Sequence, residues 1–513
     1  MSHPENALPA GGPAKPTPNP SVDPKFAYEI SPRERLFLPL TLCFCVLLAD
    51  TFLWYGPTAG LTAAVFAWYA LLLGYLGPAA FSRPESRWIA VENLLLAVTL
   101  ALSSNWAFRI WNLLALLVLL PVQAVSLSGA ARFPWHRPAM FWDRLGLLLW
   151  GLFGRLGASF AALSRPKQGK RTAGIVLGIA GSVVLLAILV PVLSSADALF
   201  ASATAQLRQF VAEHVTEGLW KLVLGIILTP FLFGFLYSLR HPIPLTAMPE
   251  KPARRVDALP FAIVLTVLAL LYLAFLAIQI SGIVGGASYL AQRGISYADW
   301  ARSGFFQMVG VTAVNLMVLL SAVTLSHPAG RSWNAVRLLA TLVTIQSLVL
   351  LFSAAWRMTL YVGAYGLSFK RCMTYWGMMM MALFLVMALI KCWRPAFSFF
   401  RAAFPTALAG WLLINCVPID YLVARNQVDR YLSGQSETID AEYLLYNLSY
   451  DTLSQLDRLD GDWICRTRTD WGDDSGQARL SDLLERRRED ARTECGKWQT
   501  WSLSACLAAG GGA

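Results

Sequence analysis

Charge and histidine are both scarce in this chain. Of its 513 residues, 14% are charged and 56% apolar, whereas an ordinary soluble domain carries roughly 25% charged residues. Water alone is therefore the wrong solvent. The five histidines, His3, His136, His214, His241 and His327, are scattered and show neither the i, i+4 pairing nor the cysteine partners that a zinc site needs. The sequence GKRT at Gly169 lacks the upstream glycine of a phosphate-binding loop, and no G-x-S-x-G occurs. These gaps argue against a nucleotide hydrolase and a serine hydrolase. No metal, cofactor or catalytic constellation is expected. A cleavable signal peptide is not indicated either, because residues 1–35 are Pro-rich and polar without an apolar core. They read as a disordered tail.

Long apolar runs are abundant. About eleven reach the ~20 residues that cross a bilayer: Leu36–Tyr55, Pro57–Phe81, Trp88–Phe108, Ile110–Ser128, Ala173–Leu193, Gly218–Leu239, Leu259–Ser281, Ser303–Ser326, Val336–Trp356, Cys372–Trp393 and Phe404–Ala424. The expected fold is all-α, a polytopic transmembrane bundle over residues 36–424. The net charge of +11 does not point to nucleic acid, since the basic residues sit mainly in short loops between runs. One alternating set of loops holds most of them, including Arg83, Arg87, Arg132, Arg165, Lys170, Arg254 and Arg401. By the positive-inside rule that set faces the cytoplasm, together with the N-terminus, and an odd number of spans leaves the C-terminal tail outside. Residues 141–163, FWDRLGLLLWGLFGRLGASFAAL, compete as a twelfth span. Both flanks are basic, and Arg155 would cost ~3 kcal/mol in hydrocarbon, so an interfacial helix is preferred. A second amphipathic piece, SSADALFASATAQLRQFVAEHV, is read as lying on the outer surface.

Composition changes at Arg425. The tail, residues 425–513, is charged with scattered apolar residues, and reads as a soluble, partly helical segment. It is either a small folded cap or a loosely docked appendage. If it lies outside, Cys465 with Cys495 is the expected disulfide, and Cys506 is left over.

Ionisable or amide groups inside or beside runs were inspected because unpaired charge in lipid is expensive. Asp50, Glu92, Lys221, Asp420, Asn105 and Asn112 qualify, and interface snorkelling or helix–helix bonding is the favoured account of each. ISYADWARSGFF, Ile295–Phe306, has a capping-box pattern with Asp299 three residues after Ser296 and Arg302 a turn later. With WRMTLYVGAYGLSFKR and PIDYLVARNQVDRY it makes three aromatic, charged segments on one outer face. The expectation is a cluster of Asp299, Arg302, Arg357, Tyr361, Tyr365, Asp420 and Arg425. It would either line a ligand site or lock the helix ends, with the lock preferred.

LYLAFLAIQISGIVGG before ISYADWARSGFFQ, then RMTLYVGAYGLSFKRCMTYW, then PIDYLVARNQVDRY before IDAEYLLYNLSYDTL, resemble the bacterial polytopic membrane proteins grouped as domain-of-unknown-function family 4173, related to family 4153. The match is best over residues 259–424 and runs on to about Leu456. The resemblance implies a bacterial cell-membrane protein and brings no established activity. The Cys-containing end after Asp460 looks peculiar to this chain. The expected function is a non-enzymatic envelope sensor, scaffold or regulatory component, and the alternative is a small-molecule or ion transporter. Its expected partners are the lipid bilayer and a protein at the outer face or tail.

Overall fold

The computed structural model describes residues 28–82, most of 84–163, scattered positions within 178–193, then 216–242, 255–292, 294, 305–467 and 476–510. The expected span Ala173–Leu193 falls mostly outside the described residues, as do the amphipathic piece before Thr216 and the N-terminal tail to residue 27.

Among the described residues seven helices are long and apolar enough to cross a bilayer, or nine if each of two bent pairs is one span. That is fewer than the eleven runs suggest. The helices are α1 (Pro32–Leu48, continued as a π-helix over Ala49–Trp54), α2 (Ala59–Leu76), α3 (Pro84–Leu102), α4 (Trp106–Ser128), α5 (Met140–Leu149, with a π-turn over Trp150–Gly154), α6 (Gly157–Leu163), α7 (Thr216–Arg240) and α8 (Ala258–Gln292). They continue with α9 (Phe305–Leu325), α10 (Gly330–Tyr365), α11 (Phe369–Trp393), α12 (Phe399–Asn415), α13 (Ile419–Leu432), α14 (Ala441–Tyr446), α15 (Leu453–Leu456), α16 (Leu480–Gly496) and α17 (Leu503–Gly510). A two-stranded antiparallel ribbon, β1 (Ile464–Arg466) and β2 (Gln477–Arg479), pairs Cys465 with Ala478.

Local chemistry sets the helix starts. Ser31 caps α1 in a reciprocal capping box with Glu34, and Pro32 follows at the first helical position, where its missing N–H costs nothing. Asn105 caps α4 by accepting from the Phe108 N–H at 2.9 Å, and Ser368 caps α11.

The helices form two groups. One packs α1, α2, α4 and α7 around Phe37, Leu72, Tyr75 and Phe235, and α3 joins it through Leu96 and Leu100, which share a core with Leu116 of α4. The other packs α8 to α11 around Leu265, Leu319, Val343 and Leu385. Helix α12 bridges them, since Phe404 and Trp411 lie against the α3–α4 core and the Trp376 indole of α11 donates to the Gly410 carbonyl at 2.9 Å. At 36 residues, α10 is about 54 Å long at 1.5 Å per residue, well beyond the ~30 Å hydrocarbon layer. It is therefore longer than a perpendicular crossing requires.

The two ends of the bundle differ. At one end Glu34 Oε1 meets His241 Nε2 at 2.6 Å, tying the start of α1 to the end of α7. At the other, Lys221 Nζ meets Asp50 at 2.6 Å, tying the end of α1 to the start of α7. Among the described residues the C-terminal segment bonds to the second end, through Gln499. The start of α1 and the C-terminal cap thus lie at opposite ends of the bundle.

The segment read as an interfacial helix is the bent pair α5–α6, kinked by 46°. Arg144, 3% exposed, donates to Ser126 Oγ at the end of α4 at 2.7 Å, Gly151 abuts Ser238 near the end of α7, and Gly157 abuts Tyr28 ahead of α1. All three contacts are at the Glu34 end of the bundle. The contact with α7 is close because two glycines face each other. A Cβ on Gly234 would lie 2.9 Å from the backbone oxygens of both Arg155 and Gly151, and neither can rotate away. Gly234→Ala should lower the unfolding temperature in detergent by the equivalent of about 1–3 kcal/mol. Gly146→Ala, in α5 where a Cβ meets nothing within 4 Å, should be neutral or slightly stabilising, and equal shifts for the two would refute the close approach.

Candidate functional site: the cap and the helix mouths

The last expected run, Phe404–Ala424, is two helices. Helix α12 stops at Asn415, the chain bends by 50°, and α13 begins at Ile419 carrying Asp420, Arg425, Asp429 and Arg430 within 14 residues. Four charges in that length do not suit hydrocarbon, so the span ends with α12 and α13 runs along the helix mouths. From there to α17 the chain folds into a cap with its own core, in which Val423, Val428, Leu444, Leu456, Leu480 and Leu483 are buried. The same core includes Phe108 of α4 and takes in Phe369 of α11 and Trp411 and Ile414 of α12. The tail is a docked cap sharing an apolar core with the bundle, not a loose appendage.

Asp420 sits at the join. It is 2% exposed, and its Oδ2 accepts from Asn105 Nδ2 at 2.7 Å and from the Ser449 N–H at 3.0 Å. Asn105 is itself the cap of α4, so one carboxylate oxygen links the α3–α4 mouth, the first turn of α13 and the cap. The other oxygen, Oδ1, is buried without a hydrogen-bond partner. Burial pushes the Asp420 carboxyl above the usual carboxylate range, against the lowering effect of the Ser449 and Asn105 bonds.

A belt of contacts surrounds this hub. Arg109 Nη2 reaches Glu494 at 3.0 Å, with the two side chains 13% and 17% exposed. Ser104 Oγ lies 2.9 Å from Ser504 Oγ and accepts from the Tyr450 N–H at 3.2 Å. The Gln499 carbonyl accepts from the Gly60 N–H at 2.8 Å and from Thr58 Oγ1 at 2.6 Å. Those bonds satisfy donors at the start of α2 that its own helix leaves unpaired.

The expected seven-residue cluster is divided. Asp299 and Arg302 lie outside the described residues. Arg357 is buried in α10 beside Ala354 and Met358. Tyr361 and Tyr365 pack against each other at 4.9 Å between centroids, with the Arg371 guanidinium 4.3 Å from the Tyr361 ring. Arg425 is exposed and pairs with Asp429 at 3.7 Å, one helical turn away, because it projects from the opposite side of α13 to the buried Asp420. The hydrogen bonds of Asp420 go to Asn105 and Ser449 rather than to an arginine of the cluster.

Sequence reasoning missed the residues that close the end of α10. Arg430 donates to the Gly363 and Ala364 carbonyls at 2.9 and 3.0 Å, Gln427 Nε2 to the Leu367 carbonyl at 2.6 Å, and the Leu367 N–H to Asn426 Oδ1 at 2.7 Å. Gly366, at φ +75°, lets Gln427 come this close, since a Cβ there would lie 2.7 Å from Gln427 Nε2. The available signal was the spacing of Asn426, Gln427 and Arg430 on one helix, polar groups with no partner of their own in the sequence.

The disulfide differs from the expected one. Cys495 at the end of α16 pairs with Cys506 of α17, with Cα atoms 5.3 Å apart. Cys465 is the inward residue of β1, 5% exposed in the cap core, and is a free thiol. Its alternation along the strand turns it into the cap core with Leu480, Leu483 and Leu484 at the start of α16, whereas Cys495 lies at the other end of that helix.

Fold and site together define a multi-pass α-helical membrane protein with a folded cap on one end of its bundle. Residues 90–459 match the family model described as a domain of unknown function, DUF4153. The chain belongs to that family, which corrects the closer resemblance to its relative 4173. The matched residues include Asn105, Asp420 and Ser449, while Asp50, Glu494, Gln499 and the disulfide lie beyond them. No curated protein and no solved structure matches the chain. Among the described residues no group of three or more His, Cys, Asp or Glu side chains is placed to hold a metal ion.

Two outcomes follow for this junction. A carboxyl whose pKa is raised on folding binds its proton more tightly in the folded state. Its contribution to stability is full below the usual carboxylate pKa and is lost as pH rises through the raised value. Asp420→Asn should keep the acceptor oxygen and remove that slope from a plot of unfolding temperature against pH, and an unchanged slope would mean another group causes it. Asp420→Ala leaves two buried donors unpaired, at about 1–3 kcal/mol each. Separately, Cys506→Ser should destabilise the cap by about 2–4 kcal/mol, whereas Cys465→Ser should leave the oxidised form and its non-reducing gel mobility intact.

Proposed function

We propose that this protein is a non-enzymatic scaffold or regulatory component of the bacterial inner membrane, presenting its cap outside the cytoplasm to a protein partner. The observation that carries this reading is the extent of the cap's attachment. An apolar core, a buried carboxylate hub and the Arg109–Glu494 pair hold it rigidly on the helix mouths. A surface fixed in this way binds without first being ordered, which spares the entropy of immobilisation.

The orientation is supported by three observations. The basic loops fall on the side of the α1 start, the cap lies at the opposite end of the bundle, and it contains a disulfide, a bond that persists in oxidising compartments. The α5–α6 pair meets Ser126 near its start and Tyr28 near its end, both on the Glu34 side, so it enters and leaves the bundle on one side, which keeps the cap outside.

Transport is the second reading, favoured by buried polar groups within the bundle. Tyr69, Asn93 and Gln123 hydrogen-bond to one another. So do Tyr272, Asn315 and Ser347, at 2.5 and 2.8 Å. These sets are neutral and mutually bonded across helices, an arrangement that serves packing, and this ranks the scaffold first.

Two measurements test the reading. A fusion of a periplasm-dependent reporter after Gly510 should be active, and one that fluoresces only in the cytoplasm should be dark there. Affinity purification of the full chain from native membranes should retain a stoichiometric protein, and charge reversal at exposed cap positions such as Arg479 or Asp462 should release it. Purification of the chain alone, together with substrate-dependent uptake into proteoliposomes, would replace the scaffold with a carrier.

A further inference from the structure

Between the cap and the mouths of α3 and α12 lies an open groove of about 560 Å³, within the roughly 300–1,000 Å³ of small-molecule sites. Its lining combines two chemistries. Leu102 at the end of α3, Val417 after α12, and Leu503 and Leu507 of α17 are apolar. All four are exposed, Leu507 at 67%. Leu102 ends one helix of the bundle and Val417 follows the end of another, which sets this apolar lining beside the bilayer. The charged lining is Asp451, Asp457 and Arg488, with Tyr421 and Tyr450 beside them, and Asp451 Oδ1 accepts from Ser504 Oγ of α17 at 2.5 Å.

The charged lining carries two acids and one base. Arg488 Nη2 meets Asp457 Oδ1 at 2.5 Å, and its Nη1 lies 3.7 Å from Glu485, leaving N–H donors of its planar fork uncommitted. A purely anionic group entering here meets net negative charge. A group with adjacent phosphate and ammonium can pair the phosphate with Arg488 and the ammonium with Asp451 or Asp457. An occupant that matches both sets of side chains is zwitterionic in one part and aliphatic in another.

We propose that the groove seats one zwitterionic phospholipid bearing a primary ammonium, headgroup against Arg488, Asp457 and Asp451, acyl chains leaving past Leu507 and Val417 into the bilayer. Trp498 and Trp501, exposed at 53% and 36% just before α17, sit where interfacial aromatics belong and place α17 at headgroup depth. The inference needs the cap to sit at the membrane boundary and is independent of whether a protein partner binds it.

The test uses the full chain, purified in mild detergent and stripped of lipid. It is titrated with phosphatidylethanolamine, with phosphatidylglycerol and with water-soluble glycerophosphoethanolamine, while native mass spectrometry counts bound molecules. One phosphatidylethanolamine per chain should be retained, at least about tenfold more tightly than either comparator. Ser454→Trp, at an exposed groove position of α15, fills the space and should weaken retention about tenfold or more while the Cys495–Cys506 bond still forms. If that variant does not fold, Leu507→Glu carries the test, because a carboxylate at the apolar exit should weaken retention and the position is too exposed to govern folding. Equal binding of phosphatidylglycerol overturns the headgroup assignment. Equal binding of the soluble headgroup overturns the lipid, and unaltered retention by the groove variant overturns the site.

Discussion

One buried carboxylate oxygen organises the extramembrane end of this protein. Asp420 Oδ2 accepts from Asn105 and from the Ser449 backbone, and these three residues belong to segments far apart in sequence. A charge this deeply buried is costly unless hydrogen-bonded. Each donor is likewise costly without its acceptor. The arrangement is therefore satisfied only when α4, α13 and the cap come together. This makes the hub a device for registering the cap on the bundle more than a source of net stability, since buried ionic groups often contribute little to stability by themselves.

The apolar contacts explain why registration matters. The cap core is continuous with the bundle through Phe108, Phe369 and Trp411, whose rings meet edge to face around Phe108 at 5.4 and 5.8 Å. Such pairs reward particular orientations by about 0.5–1.5 kcal/mol beyond the area they bury. A small rotation of the cap would lose those orientations and the Asp420 bonds together. The belt from Arg109 to Gln499 then resists tilting at the rim. Cap and span ends form one body, and that is the feature on which a scaffold, or a bound lipid at the same seam, depends.

What could be read in the letters follows the range of the forces involved. Apolar runs report burial in lipid residue by residue, so the ends of α1, α2, α4, α7 and α11 are legible to within a few residues, whereas α10, read as Val336–Trp356, extends well past that run at both ends, from Gly330 to Tyr365. The capped starts at Asn105 and Ser368 are local in the same sense. Helix α12 was run on into α13 because Ile419, Leu422, Val423 and Ala424 continue an apolar pattern, and only tertiary burial of that face in the cap distinguishes it from a span. Asp420 stands out in the sequence as an ionisable residue beside an apolar run, but its partners lie 315 and 29 positions away, beyond any periodicity. The cysteine pairing failed for the same reason: Cys465 and Cys506 were equally available by composition, and strand alternation in a three-residue ribbon decided between them.

The family match sharpens what the cap is for. The matched residues end at 459, and Asn105, Asp420 and Ser449 all fall within them. Beyond them the chain adds the ribbon, α16 and α17, and this addition bonds to residues of α1 and α2 that also lie outside the match, at Asp50, Thr58 and Gly60. The added segment clamps the first two helices to the cap, and it supplies Arg488, Leu503 and Leu507 to the groove. One wall of the groove thus comes from the matched residues and the other from those after 459, so in this chain the groove forms only when the ribbon and the last helices are docked on the bundle.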